Sequence, residues 1–282
     1  MGRLFRTVVG PLLILSGSAI AQTVARPEFE VASIKPSAPD ARGMFIRGTP
    51  GGRLNITNMT LKELIVIAYR VQPFHVSGGP AWLDSLHYDI SAKSENSPKP
   101  DELQLMLQSL LADRFQLTIH RETKELPIYA LVMAKKDGKL GPGLVESKEG
   151  SCTPPDPSKP PPPLEPGKPP ALGCGGLMMQ PRALRGVGVG MAQFAPMFSR
   201  LLGRTVVDKT GLTGKFDISM EWTPDQAQIA RLPPDAPKPP PSDPAGPSIF
   251  TAMQEQLGLK LESQKRPVEM IVVDRAEKPS EN

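Results

Sequence analysis

Proline is concentrated in two stretches of this chain, which limits where helices and sheets can form. Residues 153–181 hold eleven of the 34 prolines, and residues 233–247 hold eight more. Proline lacks the backbone N–H that a helix interior or a central strand needs, so such stretches are extended and exposed. We therefore expect two regions of regular structure, residues 22–140 and 186–282, joined by a proline-rich connector at residues 141–185.

The two regions have the same order of predicted elements. In the first, we predict helices that begin at Thr60 and after Pro100, and strands at residues 54–57, 88–92, 115–122 and 127–134. In the second, we predict helices at residues 192–202 and 249–257, and strands at residues 187–189, 216–220, 259–262 and 268–273. A proline-rich insert at residues 224–247 takes the place of residues 94–101. We interpret the regions as duplicated halves; a chance similarity between unrelated segments is the alternative.

Each predicted half is β-α-β followed by α-β-β. This order is typical of the α+β class, with a mostly antiparallel sheet and helices on one face. Two further strands, at residues 29–34 and 43–48, are predicted to join the first half's sheet. Because each half offers only about 90 foldable residues with few aromatics, we expect the halves to form one cooperative unit. In that unit the strands at residues 29–34 and 268–273 complete one another's sheets.

The first residues have the pattern of a cleavable signal peptide. Arg3 and Arg6 form a basic start, residues 7–16 are apolar, and a small-x-small pattern ends at Ala21. A membrane anchor is the alternative, but an anchor needs about 20 apolar residues and this run is shorter. We therefore predict a signal peptide at residues 1–21, cleaved after Ala21, and a secreted or periplasmic protein.

Cleavage lowers the charge of the mature chain. Without Arg3 and Arg6 the formal net charge falls from +4 to about +2, too little to attract nucleic acid or anionic lipid strongly. No later segment is apolar enough to cross a membrane. We predict no nucleic-acid partner and no stable membrane insertion after cleavage. The expected partner is an extracytoplasmic ligand or protein that the sequence does not identify.

Cys152 and Cys174 are the two cysteines of the chain. An even pair in an exported protein is more often a disulfide than a metal or redox site, although two free thiols are the alternative. Because both lie in the predicted connector, we expect the disulfide to tether a loop without being needed for the fold.

No complete catalytic, metal or nucleotide-binding motif is present. His75, His87 and His120 lack the i, i+4 spacing of zinc ligands. The glycines at residues 186–190 do not match a phosphate-binding loop and are predicted to form a strand close to a helix. We therefore predict no catalytic residue, no metal site and no cofactor.

Asp89 and Asp217 occupy equivalent positions in the two halves. A pair of carboxylates can act as acid and base. Matching positions in duplicated halves more often share a structural role, such as capping a turn. We predict the structural role for both.

Four aromatic residues are the candidate ligand contacts. Tyr69, Phe74, Trp82 and Tyr129 are predicted to line a groove near the Gly-Gly-Pro loop at residues 78–80. The alternative is that these side chains pack in the core, as most aromatic residues do.

Four motifs together resemble a known family. They are Phe-Glu-Val-Ala-Ser-Ile-Lys-Pro at residues 29–36, Gly-Gly-Pro-Ala-Trp at 78–82, Leu-Ala-Asp-Arg-Phe at 111–115 and Asp-Lys-Thr-Gly-Leu-Thr-Gly-Lys-Phe-Asp at 208–217. They resemble the soil-associated secreted protein family, a domain of unknown function abundant in acidobacteria. The resemblance implies export. Some relatives carry the domain behind a membrane-bound antirepressor metallopeptidase, which implies a sensing role, although this sequence contains no His-Glu-x-x-His motif.

Two functions of different classes fit these observations. The first is an exported, non-catalytic binding or interaction module that recognises its ligand through loops or a free sheet edge. The second is an exported hydrolase whose site is not visible as a sequence motif. The lack of a catalytic motif favours the binding module.

Overall fold

The computed structural model describes residues 26–49, 51–148, 150, 152, 172–230 and 246–279. The predicted signal peptide lies outside the described residues, as do residues 153–171 of the predicted connector and residues 231–245 of the insert. The described chain is an α+β protein whose strands pair mostly antiparallel, as the sequence predicts. No helix among these residues has the length and apolar character needed to span a membrane.

Regular structure follows the predicted order in both halves. The first half contains β1 (Val31–Pro36), β2 (Phe45–Thr49), β3 (Arg53–Thr60), α1 (Leu61–Tyr69), β4 (Val76–Gly78), β5 (His87–Lys93), α2 (Pro100–Arg114) and β6 (Thr118–Met133). The second half contains β7 (Leu144–Glu146), β8 (Gly176–Gln180), β9 (Ala183–Val189), α3 (Met191–Leu202), β10 (Val206–Asp208), β11 (Phe216–Glu221), α4 (Gln226–Ala230), α5 (Ile249–Ala252) and β12 (Leu259–Arg275). A single π-helical turn, Met253–Leu257, continues α5 up to β12.

Within the described residues the strands form three four-stranded sheets, one for each half and one between them. The first sheet has the order β1-β5-β3-β2, and the second sheet has the order β7-β11-β9-β8. The shared sheet has the order β10-β6-β12-β4. The order of the second sheet repeats that of the first, strand for strand, which supports the duplication hypothesis.

A matching carboxylate contact supports the same hypothesis. Asp89 on β5 accepts hydrogen bonds from the Ser37 hydroxyl (2.7 Å) and from the Asn58 backbone N–H (3.0 Å). Asp217 on β11 accepts from the Ser147 hydroxyl (2.6 Å) and from the Gly188 backbone N–H (2.9 Å). Asn58 and Gly188 both have left-handed backbones, with φ of 56° and 61°. Each aspartate therefore holds an irregular point of the neighbouring strand, which is a structural role.

The long strands β6 and β12 are continuous, which corrects the sequence analysis. Each was predicted as two strands, with the polar residues Thr123, Lys124 and Glu125 interrupting the first. In the structure the two strands pair antiparallel from Leu259–Met133 to Arg275–Thr118. Most of the residues in their middle sections are exposed. We call the paired strands β6 and β12 the ribbon. Because β4 and β10 pair with other sections of the ribbon, its middle section has no further strand beside it among the described residues, and polar residues and proline are tolerated there.

The two halves exchange strands through the shared sheet. β4 of the first half pairs in parallel with β12, and β10 of the second half pairs in parallel with β6. The core of the first half includes Ile271 and Val273 from β12. The core of the second half includes Leu131 from β6. Each hydrophobic core is therefore completed by a strand of the other half.

Polar contacts also join the halves beside this sheet. His75, just before β4, lies 2.8 Å from the Thr205 hydroxyl through its Nε2 atom. The Gln72 amide donates to the Pro196 carbonyl at 3.5 Å. Burial lowers the pKa of His75 below its ordinary 6.5, so the neutral imidazole is favoured at this contact.

The N-terminal strand does not meet the C-terminal strand, contrary to the expectation stated above. β1 pairs antiparallel with β5 inside the first sheet. The C-terminal strand β12 pairs with β6 and β4 instead. The exchange between the halves therefore involves β4 and β10, two strands of three residues that the sequence analysis did not predict.

The disulfide between Cys152 and Cys174 is present, with a Cα–Cα distance of 5.2 Å. The Cys152 sulfur lies 3.3 Å from the point where a Cβ atom on Gly188 would stand. Within residues 141–185, which were predicted as a connector, β7 and β8 form the two edges of the second sheet. The disulfide thus lies beside the second sheet, while both cysteines lie outside its strands.

We predict that the halves unfold together. A fragment of residues 27–140 lacks Ile271, Val273 and the strand that pairs with β6, so it should be unfolded or aggregated. The mature protein should melt in a single transition, measured by circular dichroism and calorimetry. A soluble, folded fragment, or two separable transitions in the whole chain, would contradict this.

Removing the disulfide should lower stability without changing the fold. Closing a loop of this length stabilises the native state by roughly 3 kcal/mol in the chain-entropy model. Replacing Cys152 and Cys174 by serine should therefore lower the melting temperature and leave the far-ultraviolet circular dichroism spectrum native. Loss of that spectrum would show that the tether is needed to form the second sheet.

Candidate functional site

A cavity of about 520 Å³ lies between the two helices of the first half and the start of β6. We call it the Tyr69 cavity. It is open to solvent on one side and has both polar and apolar walls. Its lining residues are Arg26, Pro27, Tyr69, Leu105, Gln108, Ser109, Ala112, Leu117, Thr118 and Ile119.

One face of α2 forms a wall of the cavity. Leu105, Gln108, Ser109 and Ala112 follow the i, i+3, i+4, i+7 spacing that places side chains on one side of a helix. The neighbouring face of α2 carries the leucines of the first core. The helix therefore packs with one face and lines the cavity with another.

The end of α1 is fixed against α2, which positions Tyr69. The Gln108 amide donates to the Ala68 carbonyl at 2.8 Å. Arg70 ends α1 in a left-handed conformation with φ of 52° and forms an ion pair with Asp101 at 2.6 Å. These contacts hold the last turn of α1, so the Tyr69 ring has a defined place at the cavity wall.

The electrostatics around Tyr69 favour a bound anion. Burial raises the pKa of Tyr69 above its ordinary 10.0, and the positive charges of Arg121 and Arg26 partly oppose that rise. The phenol is therefore a protonated hydrogen-bond donor at neutral pH, with two guanidinium groups nearby. Arg121 forms an ion pair with Glu269, whereas no ion pair of Arg26 is present among the described residues.

Ser109 provides a second hydroxyl at the cavity. The residue is 7% exposed, and its hydroxyl forms no hydrogen bond within the described part of the chain. The hydroxyl is not among the fully buried polar atoms left without a partner, so it reaches the space of the cavity, where it can donate to or accept from a ligand. Ser109 is therefore a second candidate contact for a polar ligand.

The second half does not repeat this arrangement. Tyr69 is eight residues beyond the start of α1, and the residue eight beyond the start of α3 is Ser199. The Ser199 hydroxyl donates to the Ala195 carbonyl at 3.1 Å and accepts from the Val206 N–H at 2.8 Å. That position is satisfied by the protein's own backbone, so the phenol at this place is specific to the first half.

The four predicted groove aromatics lie at separate places. Tyr69 lines the cavity, and the Phe74 ring packs edge-to-face with His75 at 4.7 Å. Trp82 packs against the first core. Tyr129 packs against the second core, beneath the Arg204 guanidinium at 4.2 Å. The Tyr129 N–H donates to the Thr205 carbonyl at 2.8 Å, and the Thr205 hydroxyl contacts His75, so Thr205 links Tyr129 to the neighbour of Phe74.

The histidines and aspartates singled out by the sequence are also dispersed. His120 Nδ1 contacts Asp274 at 2.8 Å on the exposed part of the shared sheet. His87 lines a different cavity of about 680 Å³, next to Ser37 and Asn58. Within the described ranges, no group of three or more His, Cys, Asp or Glu side chains is arranged to hold a metal ion.

The cavity residues on α2 were missed by sequence reasoning. An apolar spacing on α2 predicts a core face but does not predict that the adjacent stripe faces a cavity; the residues of this spacing are Leu103, Met106, Leu107, Leu110 and Leu111. The spacing of residues 105, 108, 109 and 112 on one helix face was the available signal. Arg26 and Arg121 carry no sequence signal, because their proximity to Tyr69 depends on the tertiary fold.

A family model described as a protein of unknown function (DUF3738) matches residues 62–276. The chain belongs to this family. The match begins within α1 and ends just after β12, so it includes α2 and the start of β6 that line the cavity. β1, β2 and β3 precede the matched range but form three of the four strands of the first sheet. No curated protein and no solved structure is similar to this DUF3738 member at a significant level.

We predict that Tyr69 ionises late in alkaline titration. Because burial outweighs the two arginine charges, the tyrosinate absorbance contributed by Tyr69 should develop above pH 10.0. The difference between the titration curves of the native protein and Tyr69→Phe isolates this residue. A difference curve centred below pH 10 would mean that the arginine charges prevail over burial.

Proposed function

We propose that this DUF3738 protein is an exported, non-catalytic binding module that holds a small organic anion in the Tyr69 cavity. The observation that carries the proposal is the unpartnered Ser109 hydroxyl beside a protonated phenol and two guanidinium groups. Hydroxyl and guanidinium donors together are suited to a carboxylate or phosphate group.

The size and walls of the cavity support a small organic ligand. A volume of about 520 Å³ falls within the range of small-molecule sites, which pair apolar walls with a few polar groups. Leu105, Leu117 and Ile119 supply the apolar surface. An organic anion with an apolar body would contact this surface while its charged group reaches the donors.

Export is supported by the disulfide and by the signal-peptide pattern. A disulfide between Cys152 and Cys174 is typical of proteins that fold in an oxidising compartment. The resemblance to the soil-associated secreted protein family points in the same direction. We place the protein outside the cytoplasm, where ligand occupancy of the cavity would serve a sensing role.

A binding function is favoured over the alternative of an exported hydrolase. A serine nucleophile needs a general base within hydrogen-bond reach. The Ser109 hydroxyl has no partner among the described residues, and the charged groups that act on Tyr69 are the guanidinium groups of Arg121 and Arg26. These groups suit the binding of an anion better than the activation of a nucleophile.

The proposal is tested by matched pairs of charged and neutral ligands. The mature protein is titrated with benzoate against benzamide, succinate against succinamide, and phenyl phosphate against phenol, with calorimetry as the measurement. At least one anion should bind more tightly than its neutral analogue. Tyr69→Phe should lower the affinity for that anion by at least about tenfold, since a hydrogen bond to a charged group contributes about 1.5–3 kcal/mol.

Tyr129→Phe is the matched control, because it removes the oxygen of a phenol that packs against the second core and does not line the cavity. It should leave the affinity for the anion unchanged, whereas Ser109→Ala should reduce that affinity as Tyr69→Phe does. If each anion binds no better than its neutral analogue, or if Tyr129→Phe and Tyr69→Phe act alike, the cavity is not an anion site.

A further inference from the structure

We propose that β2 is a docking edge at which an extended, acidic segment of a partner polypeptide adds a fifth strand to the first sheet. This inference is independent of the Tyr69 cavity. It rests on the free edge of the sheet, on the side chains of β2 and on unpaired positive charge beside them.

The edge of the first sheet at β2 is open. β2 is the last strand in the order β1-β5-β3-β2, and within the described ranges it pairs with β3 alone. Alternate residues of such an edge strand point their backbone N–H and C=O groups outward. A polypeptide in extended conformation can bond to these groups, which is the common mode of strand addition.

β2 has less of the usual protection of an edge strand than β1. Natural edges are protected by charged side chains, especially lysine, and by proline, bulges or short length, and within β2 the one charged side chain is Arg47. The opposite edge strand β1 ends in Lys35 and Pro36, but β2 and the residue before it present Met44, Phe45 and Ile46 in succession. Phe45 is 61% exposed and Ile46 is 44% exposed. An exposed apolar edge of this kind favours pairing with another strand.

The two faces of β2 specify different contacts. Ile46 lies opposite Ile56 in a row that continues through Ile90 to Ile34 on the helix side of the sheet. The inner isoleucines are buried, whereas Ile46 ends the row uncovered. An added strand would extend this row with an apolar side chain of its own.

The other face of β2 carries both positive charge and the exposed ring of Phe45. Arg47 lies on the face opposite to Ile46, and Arg53 of β3 lies beside Thr49 on that same face. Neither arginine forms an ion pair within the described part of the chain. An incoming strand with acidic residues at the alternate positions would place carboxylates next to these guanidinium groups. The complementary segment therefore alternates apolar and acidic side chains.

The same charge disfavours a second copy of this chain as the occupant. If β2 paired with β2 of another copy, centred antiparallel or parallel and in register, Arg47 would lie beside Arg47. Like charges directly across two strands are destabilising. The charge on β2 thus favours an acidic partner over self-association.

The test uses two synthetic peptides that differ only in charge. Both have capped ends and six residues, one alternating glutamate with valine and the other alternating lysine with valine. Fluorescence anisotropy with the mature protein should show the acidic peptide binding at least about fivefold more tightly, from cross-strand charge pairs. Arg47→Glu should reverse the preference, and Arg47→Gln should remove most of it.

Matched edge variants locate the binding surface. Ile46→Lys should lower the affinity for the acidic peptide, although it adds a positive charge, because it removes the apolar contact on β2. Val31→Lys makes the same change at the other edge of the sheet, at a residue that is 63% exposed, and should leave binding unchanged. Tyr69→Phe should also have no effect, which separates this proposal from the cavity. Circular dichroism confirms that each variant is folded.

Three results would overturn the proposal. One is an equal signal from the two peptides, including no binding of either. Another is a loss of peptide affinity in Val31→Lys that is as large as the loss in Ile46→Lys, which would place the binding site at β1. The third is reversible dimerisation of the native protein in sedimentation experiments that Ile46→Lys abolishes, which would make a second copy the occupant.

Discussion

The antiparallel ribbon of β6 and β12 is the constraint on which the rest of the structure depends. It is the contact through which each half supplies a strand to the core of the other, with Ile271 and Val273 entering the first core and Leu131 entering the second. A half of this size buries too little apolar surface to be stable alone. The strand exchange adds buried apolar residues to both cores without making either half longer, and so overcomes this limit on stability.

Because the shared sheet completes both cores, the two halves can differ in the residues that lie away from that sheet. The strand order of the first and second sheets and the contacts of Asp89 and Asp217 are the same in both halves. The side chains at the ninth position of α1 and of α3 are different, with a phenol at Tyr69 and, at Ser199, a hydroxyl that bonds to the protein's own backbone. The edges differ as well, since the disulfide lies beside the second sheet near β8. Both proposed sites, the Tyr69 cavity and the free edge at β2, lie in the first half.

Local patterns in the sequence predicted most of the elements but not how they combine. The helix from Thr60 was predictable because its capping box is a local signal, and the structure has both hydrogen bonds of that box. β4 and β10 were missed because three residues are too few to show a period, and their pairing depends on strands of the other half. The ribbon was divided in error because exposed polar residues such as Thr123–Glu125 look like a loop when their partner strand is unknown.

The candidate site was predictable in one residue only. Tyr69 was predicted as a candidate groove residue, and it lines the cavity. Arg26 and Arg121 approach it through tertiary packing that no spacing along the chain reveals.

The strand exchange also has a consequence for how the protein is made. Synthesis proceeds from the N-terminus, and the first core includes Ile271 and Val273 of β12, which is made long after the first half. The first half therefore emerges without a complete core, and its folding waits until this last strand has been made.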